Sequence, residues 1–144
     1  MTTLVLDASV AVKWAIPAAQ EPLTQEAMRL FDRYLSREID FIVPDIFWSE
    51  VGNVLCKGVR QRRWDSQKAE VVIANLSRQD FQTVPSKIFL PGAFDIALAY
   101  GVSLYDCLYA ALACDSHADL ITADERLANA LAARFPVKWL GAFQ

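Results

Sequence analysis

At 144 residues, 54% hydrophobic and 22% charged, the chain has the size of one compact domain and enough apolar side chains to bury a core, which excludes a disordered protein. No run approaches the roughly 18 uninterrupted apolar residues of a membrane span, and Met1–Asp7 lacks a basic segment ahead of an apolar one, so neither an anchor nor a signal peptide is expected. A net charge of −3 and a pI near 5.1 exclude nucleic-acid binding by global attraction alone; any such role must rest on local charge or on metal.

Thr3–Asp7 is a short apolar run ending in an acid, as a buried parallel strand is. Ala8–Ile16 follows with helical spacing and stops at Pro17, and Leu23–Leu35 repeats a helical pattern through Ala27, Leu30, Phe31 and Tyr34. Phe41–Pro44 reads as a second strand, after which Asp45 caps a helix to about Val59. Asp65 or Ser66 opens another helix to about Leu76, Phe81–Pro85 alternates weakly as an edge strand, and Pro91–Tyr100 is a helix closed by Gly101. Asp106–His117 is an Ala-rich helix suited to close packing. Asp119–Ala123 is a strand, Asp124–Phe135 a helix, and Val137–Leu140 a last strand. This alternation predicts a three-layer α/β/α sandwich with a mostly parallel central sheet, in a single domain over 1–144.

Cys56, Cys107 and Cys114 are odd in number and have no metal-finger spacing; buried thiols in a reducing cytoplasm are the expectation for Cys107 and Cys114. Zinc is disfavoured because His117 is the one histidine, and for the same reason no Ser–His or Cys–His nucleophile is expected.

Ligands of open parallel sheets bind beyond the carboxyl ends of the strands. Asp7 ends the first strand, Asp124 follows Leu120–Ala123, Asp106 follows Val102–Tyr105 and starts a helix, and Glu50 lies in the second turn after Phe41–Pro44. Each acid has an ordinary reading too: an aspartate at a helix start caps free N–H groups, and Glu50 shares a helical stripe with Asn53 and Lys57. Four acids at one side of a sheet are harder to explain singly. Converging carboxylates repel unless a cation neutralises them, and an all-oxygen set suits Mg²⁺ or Mn²⁺. Metal-assisted phosphoryl transfer is the chemistry that follows. Ser9 and Thr122, each two residues from an acid, either orient a carboxylate or a metal-bound water or act as simple caps.

Val5-Leu6-Asp7-Ala8-Ser9-Val10, Ser49-Glu50-Val51, Tyr105-Asp106 with the Ala-rich stretch to Ala113, and Leu120–Asp124 resemble the successive acidic motifs of PIN domains, in order and over nearly the whole chain. The resemblance implies a PIN fold in which Asp7, Glu50, Asp106 and Asp124 carry one or two Mg²⁺ or Mn²⁺ ions. It also implies an endoribonuclease, often a homodimer, most like the VapC-type toxins held inactive by a small VapB-like antitoxin.

On this reading Asp7, Asp106 and Asp124 ligate metal, and Glu50 ligates or positions the attacking water. Lys57, Arg60, Arg62 and Arg63 form the densest basic stretch and Lys13 a second candidate for RNA phosphate contact; the cations after the Glu50 helix equally complement its dipole. Trp14, Trp48, Trp64 and Trp139 read as core or interface residues, and Phe31, Tyr34 and Trp48 as either core or partner surface. Rival readings are a DNA-directed or structure-specific nuclease on the same scaffold, a non-catalytic binding module, and a phosphoacceptor domain. The last fits poorly, because Asp7 has no adjacent acid.

Overall fold

A computed structural model describes residues 1–15 and 21–143. Five short runs rich in Val, Ile and Leu pair as one all-parallel sheet: β1 (Thr2–Leu6), β2 (Ile39–Pro44), β3 (Gln82–Val84), β4 (Asp119–Thr122) and β5 (Val137–Trp139). Their order is β3-β2-β1-β4-β5. Leu4, Val5 and Leu6 are almost wholly buried, as a central strand covered on both faces requires.

The helices are α1 (Ala8–Ala15), α2 (Thr24–Leu35), α3 (Ile46–Arg60), α4 (Ser66–Ser77), α5 (Leu90–Tyr100), α6 (Leu104–Ser116) and α7 (Glu125–Leu131). Buried alanines at 110, 111 and 113 let α6 lie close against β1, β2 and β4, with α5 packed behind it. Helix α1 packs against α2, α3 and β4, and α2 lies on β2. The result is the expected α/β/α sandwich.

Topology places the site. From β1 the chain winds outward through β2 and β3, then crosses back to β4 and β5 on the other side. The order therefore reverses between β1 and β4, and the crevice that such a reversal opens lies at their carboxyl ends. Asp7 and Thr122–Asp124 stand there.

Several expectations need correcting. Val102–Tyr105 is not a strand: Ser103 is the cap of α6, its Oγ accepting from the Asp106 amide at 3.2 Å, so the helix begins at Leu104 and Asp106 sits inside its first turn. Asp45 makes no side-chain cap on α3; its carboxylate instead accepts from the Ser86 amide at 3.1 Å and from the Ser86 hydroxyl, tying the start of α3 to the short 3-10 turn Ser86–Ile88. Helix α7 ends at Leu131 rather than Phe135. The expected stop at Pro17 lies outside the described residues. Asp65 does cap α4, accepting from the Lys68 amide at 2.8 Å, and Gly101 closes α5 with φ 65°, a left-handed turn that favours glycine.

Phe31, Tyr34 and Trp48 belong to a ladder of rings rather than to a free surface. Trp14 and Phe31 centroids are 4.7 Å apart, Tyr34 and Phe41 5.2 Å, and Trp48 and Phe81 5.8 Å. The ladder fastens α1, α2 and α3 to β2. All three cysteines are free thiols, Cys107 buried, Cys114 half-buried and Cys56 exposed. Among the described residues no helix is long and apolar enough to cross a membrane.

Candidate active site

Asp7 is the first residue beyond β1 and is buried, its amide still bonded to the Ile121 carbonyl of β4 at 3.1 Å. Its Oδ2 accepts two hydroxyls, Ser9 Oγ at 2.7 Å and Thr122 Oγ1 at 2.7 Å. Each hydroxyl in turn accepts a backbone N–H at 3.0 Å, Ser9 from Ala123 and Thr122 from Asp124. A hydroxyl that already accepts from an amide turns its single proton elsewhere. Both protons therefore point to Oδ2, which leaves Asp7 Oδ1 without a hydroxyl partner.

Asp124 is exposed and caps α7, Oδ1 accepting from the Arg126 and Leu127 amides at 3.0 and 3.3 Å. Half-buried Asp106 stands in the first turn of α6, and half-buried Glu50 in the second turn of α3. Glu50 Oε1 accepts from the Tyr109 hydroxyl at 2.6 Å.

Their electrostatics join these residues into one cluster. Burial pushes the Asp7 carboxyl from 3.8 up to about 6; the two hydroxyls oppose the shift, while the charges of Asp106 and Glu50 add to it. Burial also raises Glu50, against the Tyr109 hydrogen bond and with help from Asp106. Asp106 is raised by burial, opposed by Ser103 and reinforced by Asp124. Burial first, then Asp7 and Glu50, drives the Tyr109 phenol well above its ordinary range. The charges of Asp106 and Glu50 thus reach Asp7, and that of Asp124 reaches Asp106. Among the described residues no cation pairs with any of them.

Repulsion among carboxylates is what a hard cation would relieve. The set is open: among the described residues no three acids, histidines or cysteines are close enough to cage an ion on their own. Openness is compatible with an ion that retains several of its waters, as Mg²⁺ usually does.

A family pattern, that of the PIN domain, matches residues 4–131. The chain belongs to the PIN domain family. Solved structures agree in fold over nearly the full length on both sides. PAE2754 from Pyrobaculum aerophilum is 20% identical with a TM-score of 0.65, covering 97% of this chain and 90% of that one. FitAcB from Neisseria gonorrhoeae is 16% identical with a TM-score of 0.67, covering 97% and 99%. VapC20 of Mycobacterium tuberculosis, described as a sarcin-ricin loop cleaving toxin, is 14% identical with a TM-score of 0.65, covering 92% and 95%. No curated protein matches by sequence.

The basic residues lie elsewhere. Lys57, Arg60, Arg62 and Arg63 are exposed around the end of α3, with Arg63 over the Trp64 ring at 5.1 Å. Lys13 departs from its expected role. It is buried, with Nζ 3.0 Å from Glu21 Oε2, so its charge is already matched and it is withdrawn from any phosphate. The sequence reading gave Tyr109 no role, although its place three residues after Asp106 puts the two on one side of α6.

Proposed function

We propose that the protein is a metal-dependent endoribonuclease, a single nuclease domain serving as the toxin of a VapBC-type toxin–antitoxin pair. One observation carries this reading: Asp7 is buried at the reversal of strand order, held through Oδ2 by Ser9 and Thr122, and among the described residues no cation pairs with it or with Glu50, Asp106 or Asp124. Family membership supports nuclease chemistry, and likeness to VapC20 and to a toxin–antitoxin complex from Klebsiella pneumoniae supports the toxin role.

Asp7, Asp106 and Asp124 would hold Mg²⁺ or Mn²⁺, with Glu50 completing the set or orienting the attacking water. When bound, such an ion supplies a more acidic water and stabilises charge on the phosphate oxygens. The chain's own contribution is preorganisation. Ser9 and Thr122 fix Asp7 through Oδ2 and leave Oδ1 for the ion. The rigid first turn of α6 sets Asp106, and the start of α7 sets Asp124. Lys57, Arg60, Arg62 and Arg63 would position the RNA backbone without reading its sequence.

The partner surface is best supported on α5. Leu90, Phe94 and Leu98 recur every four residues and are all exposed, with Ile88 and Tyr105 also exposed nearby in the chain. An apolar stripe of this kind marks an interface, here assigned to a second copy of the chain in a homodimer, leaving the acidic cluster accessible to RNA or to the polar tail of an antitoxin.

The reading is tested by incubating matched RNA and DNA strands with wild-type and Asp106→Asn protein, in Mg²⁺ and after EDTA. RNA should be cut by the wild type in Mg²⁺ alone. Cleavage by the variant, or in EDTA, would contradict the assignment.

A further inference from the structure

We propose that Tyr109 is a positioning residue that holds the Glu50 carboxylate in its working orientation; the inference rests on the nuclease reading above. Tyr109 is fully buried on α6, and its hydroxyl donates to Glu50 Oε1 at 2.6 Å, a short charge-assisted bond across 59 residues of sequence. A phenol O–H has a single proton, and here it is given to Glu50.

Three consequences follow from this geometry. Glu50 Oε1 is engaged, which leaves Oε2 as the oxygen free to act. A glutamate on an exposed helix face samples several rotamers; a fixed bond to a buried ring removes that freedom. Helix α6 carries both Asp106 and, one turn on, the anchor for Glu50, so one rigid element sets the position of two acids contributed by different parts of the chain. Packing alone does not require the hydroxyl, since phenylalanine would fill the same volume. A phenol buried beside Asp7 and Glu50 is there as a donor.

The test compares wild type, Tyr109→Phe, Glu50→Ala and the double variant in the full-length protein, by RNA cleavage and by Mn²⁺ binding followed with electron paramagnetic resonance. Partners that orient metal-site ligands typically contribute about ten- to a hundredfold in affinity or activity. Tyr109→Phe should therefore lower kcat about tenfold or more with KM for RNA unchanged, and weaken Mn²⁺ binding. In the Glu50→Ala background the same change should have no further effect. Glu50→Asp, which keeps the charge but withdraws it by one methylene, should reproduce the Tyr109→Phe defect and keeps the question answerable if the phenylalanine variant does not fold. Equal losses from Tyr109→Phe in both backgrounds, or a lowered Tm with kcat and Mn²⁺ binding intact, would overturn the proposal. If Glu50→Ala itself retains full activity and Mn²⁺ binding, the role given to Glu50 fails, and the role of Tyr109 with it; that result is distinct from a failure of Tyr109 alone.

Discussion

Thr122, on β4, donates its hydroxyl proton to Asp7 Oδ2 at 2.7 Å across the reversal of strand order, while accepting the amide of Asp124 at 3.0 Å. One side chain thus orients the first acid and shapes the backbone that presents the fourth. Thr122→Val keeps the volume and removes both bonds. It leaves a carboxylate with one partner fewer and the Asp124 amide without its acceptor, so a loss of about 1–3 kcal/mol in stability is expected. RNA cleavage should fall with it. Urea denaturation and single-turnover kinetics check both, and wild-type stability in the variant would contradict the arrangement.

Asp7 illustrates a conflict between stability and chemistry. Its buried carboxyl is raised to about 6 in the metal-free chain, so ionising it at neutral pH costs folding free energy. Asp7→Asn retains an acceptor oxygen for Ser9 and Thr122 and removes the charge. The metal-free variant should melt no lower than wild type at pH 7, while cleavage drops by at least a hundredfold. A large fall in Tm would show that the charge is needed for the fold rather than for the reaction.

The same group fixes a pH dependence. A carboxyl whose folded value lies above its unfolded one holds more protons when folded, so stability decreases as pH rises. For metal-free protein the decline should run between about pH 4 and pH 6, the interval set by the ordinary 3.8 and the raised value near 6. Two units correspond to roughly 2–3 kcal/mol. Denaturation across this range should show the slope in wild type and a shallower one in Asp7→Asn, where only raised Glu50 and Asp106 remain. Saturating Mg²⁺ should offset it near neutrality, because a ligand that binds the native state alone stabilises that state.

Cations separate into two groups. Lys13, buried against Glu21, contributes to structure: Lys13→Met should destabilise the protein by about 1–3 kcal/mol without changing the salt dependence of RNA binding. Exposed Arg60 and Arg62 should behave oppositely, alanine at each raising KM and flattening the salt dependence while leaving Tm alone. Fluorescence anisotropy with a labelled RNA at several ionic strengths distinguishes them; a Lys13 variant that folds normally and binds RNA poorly would reverse the assignment.

The exposed stripe on α5 gives a further outcome. Replacing Phe94 or Leu98 with glutamate should leave the monomer fold intact and shift the mass measured by light scattering from two chains to one. A wild-type protein that is monomeric at high concentration would exclude this face as the homodimer contact.

What the sequence made legible was mostly local. Leu4–Leu6 and Leu120–Thr122 read as buried strands because they are short apolar or β-branched runs, and that placed Asp7 and Asp124 at strand ends. The alternation of strands and Ala-rich helices sufficed for the three layers. Failures occurred where a side chain's partner could not be told from the pattern, near or far along the chain. Asp45 resembles a cap, yet it is claimed by Ser86, 41 residues away. Lys13 has the look of an exposed cation beside Asp7, but the fold buries it and brings Glu21 to it. Asp106 reads as the start of α6 because an aspartate there is an ordinary cap, whereas Ser103 caps the helix three residues earlier. Tyr109 carries no sign of its role in the sequence, since its acceptor belongs to α3.

The central claim, that one hard cation is shared by carboxylates from four elements, is addressed most directly by crystals soaked in Mn²⁺. Anomalous difference density should give a peak within bonding distance of Asp7 Oδ1 and Asp106, above the roughly 2.0–2.1 Å of Mg²⁺–oxygen bonds and below the roughly 2.3–2.6 Å of Ca²⁺, with Asp124 and Glu50 bonded directly or through water. A peak held by other residues, or an empty cluster at saturating Mn²⁺, would contradict it.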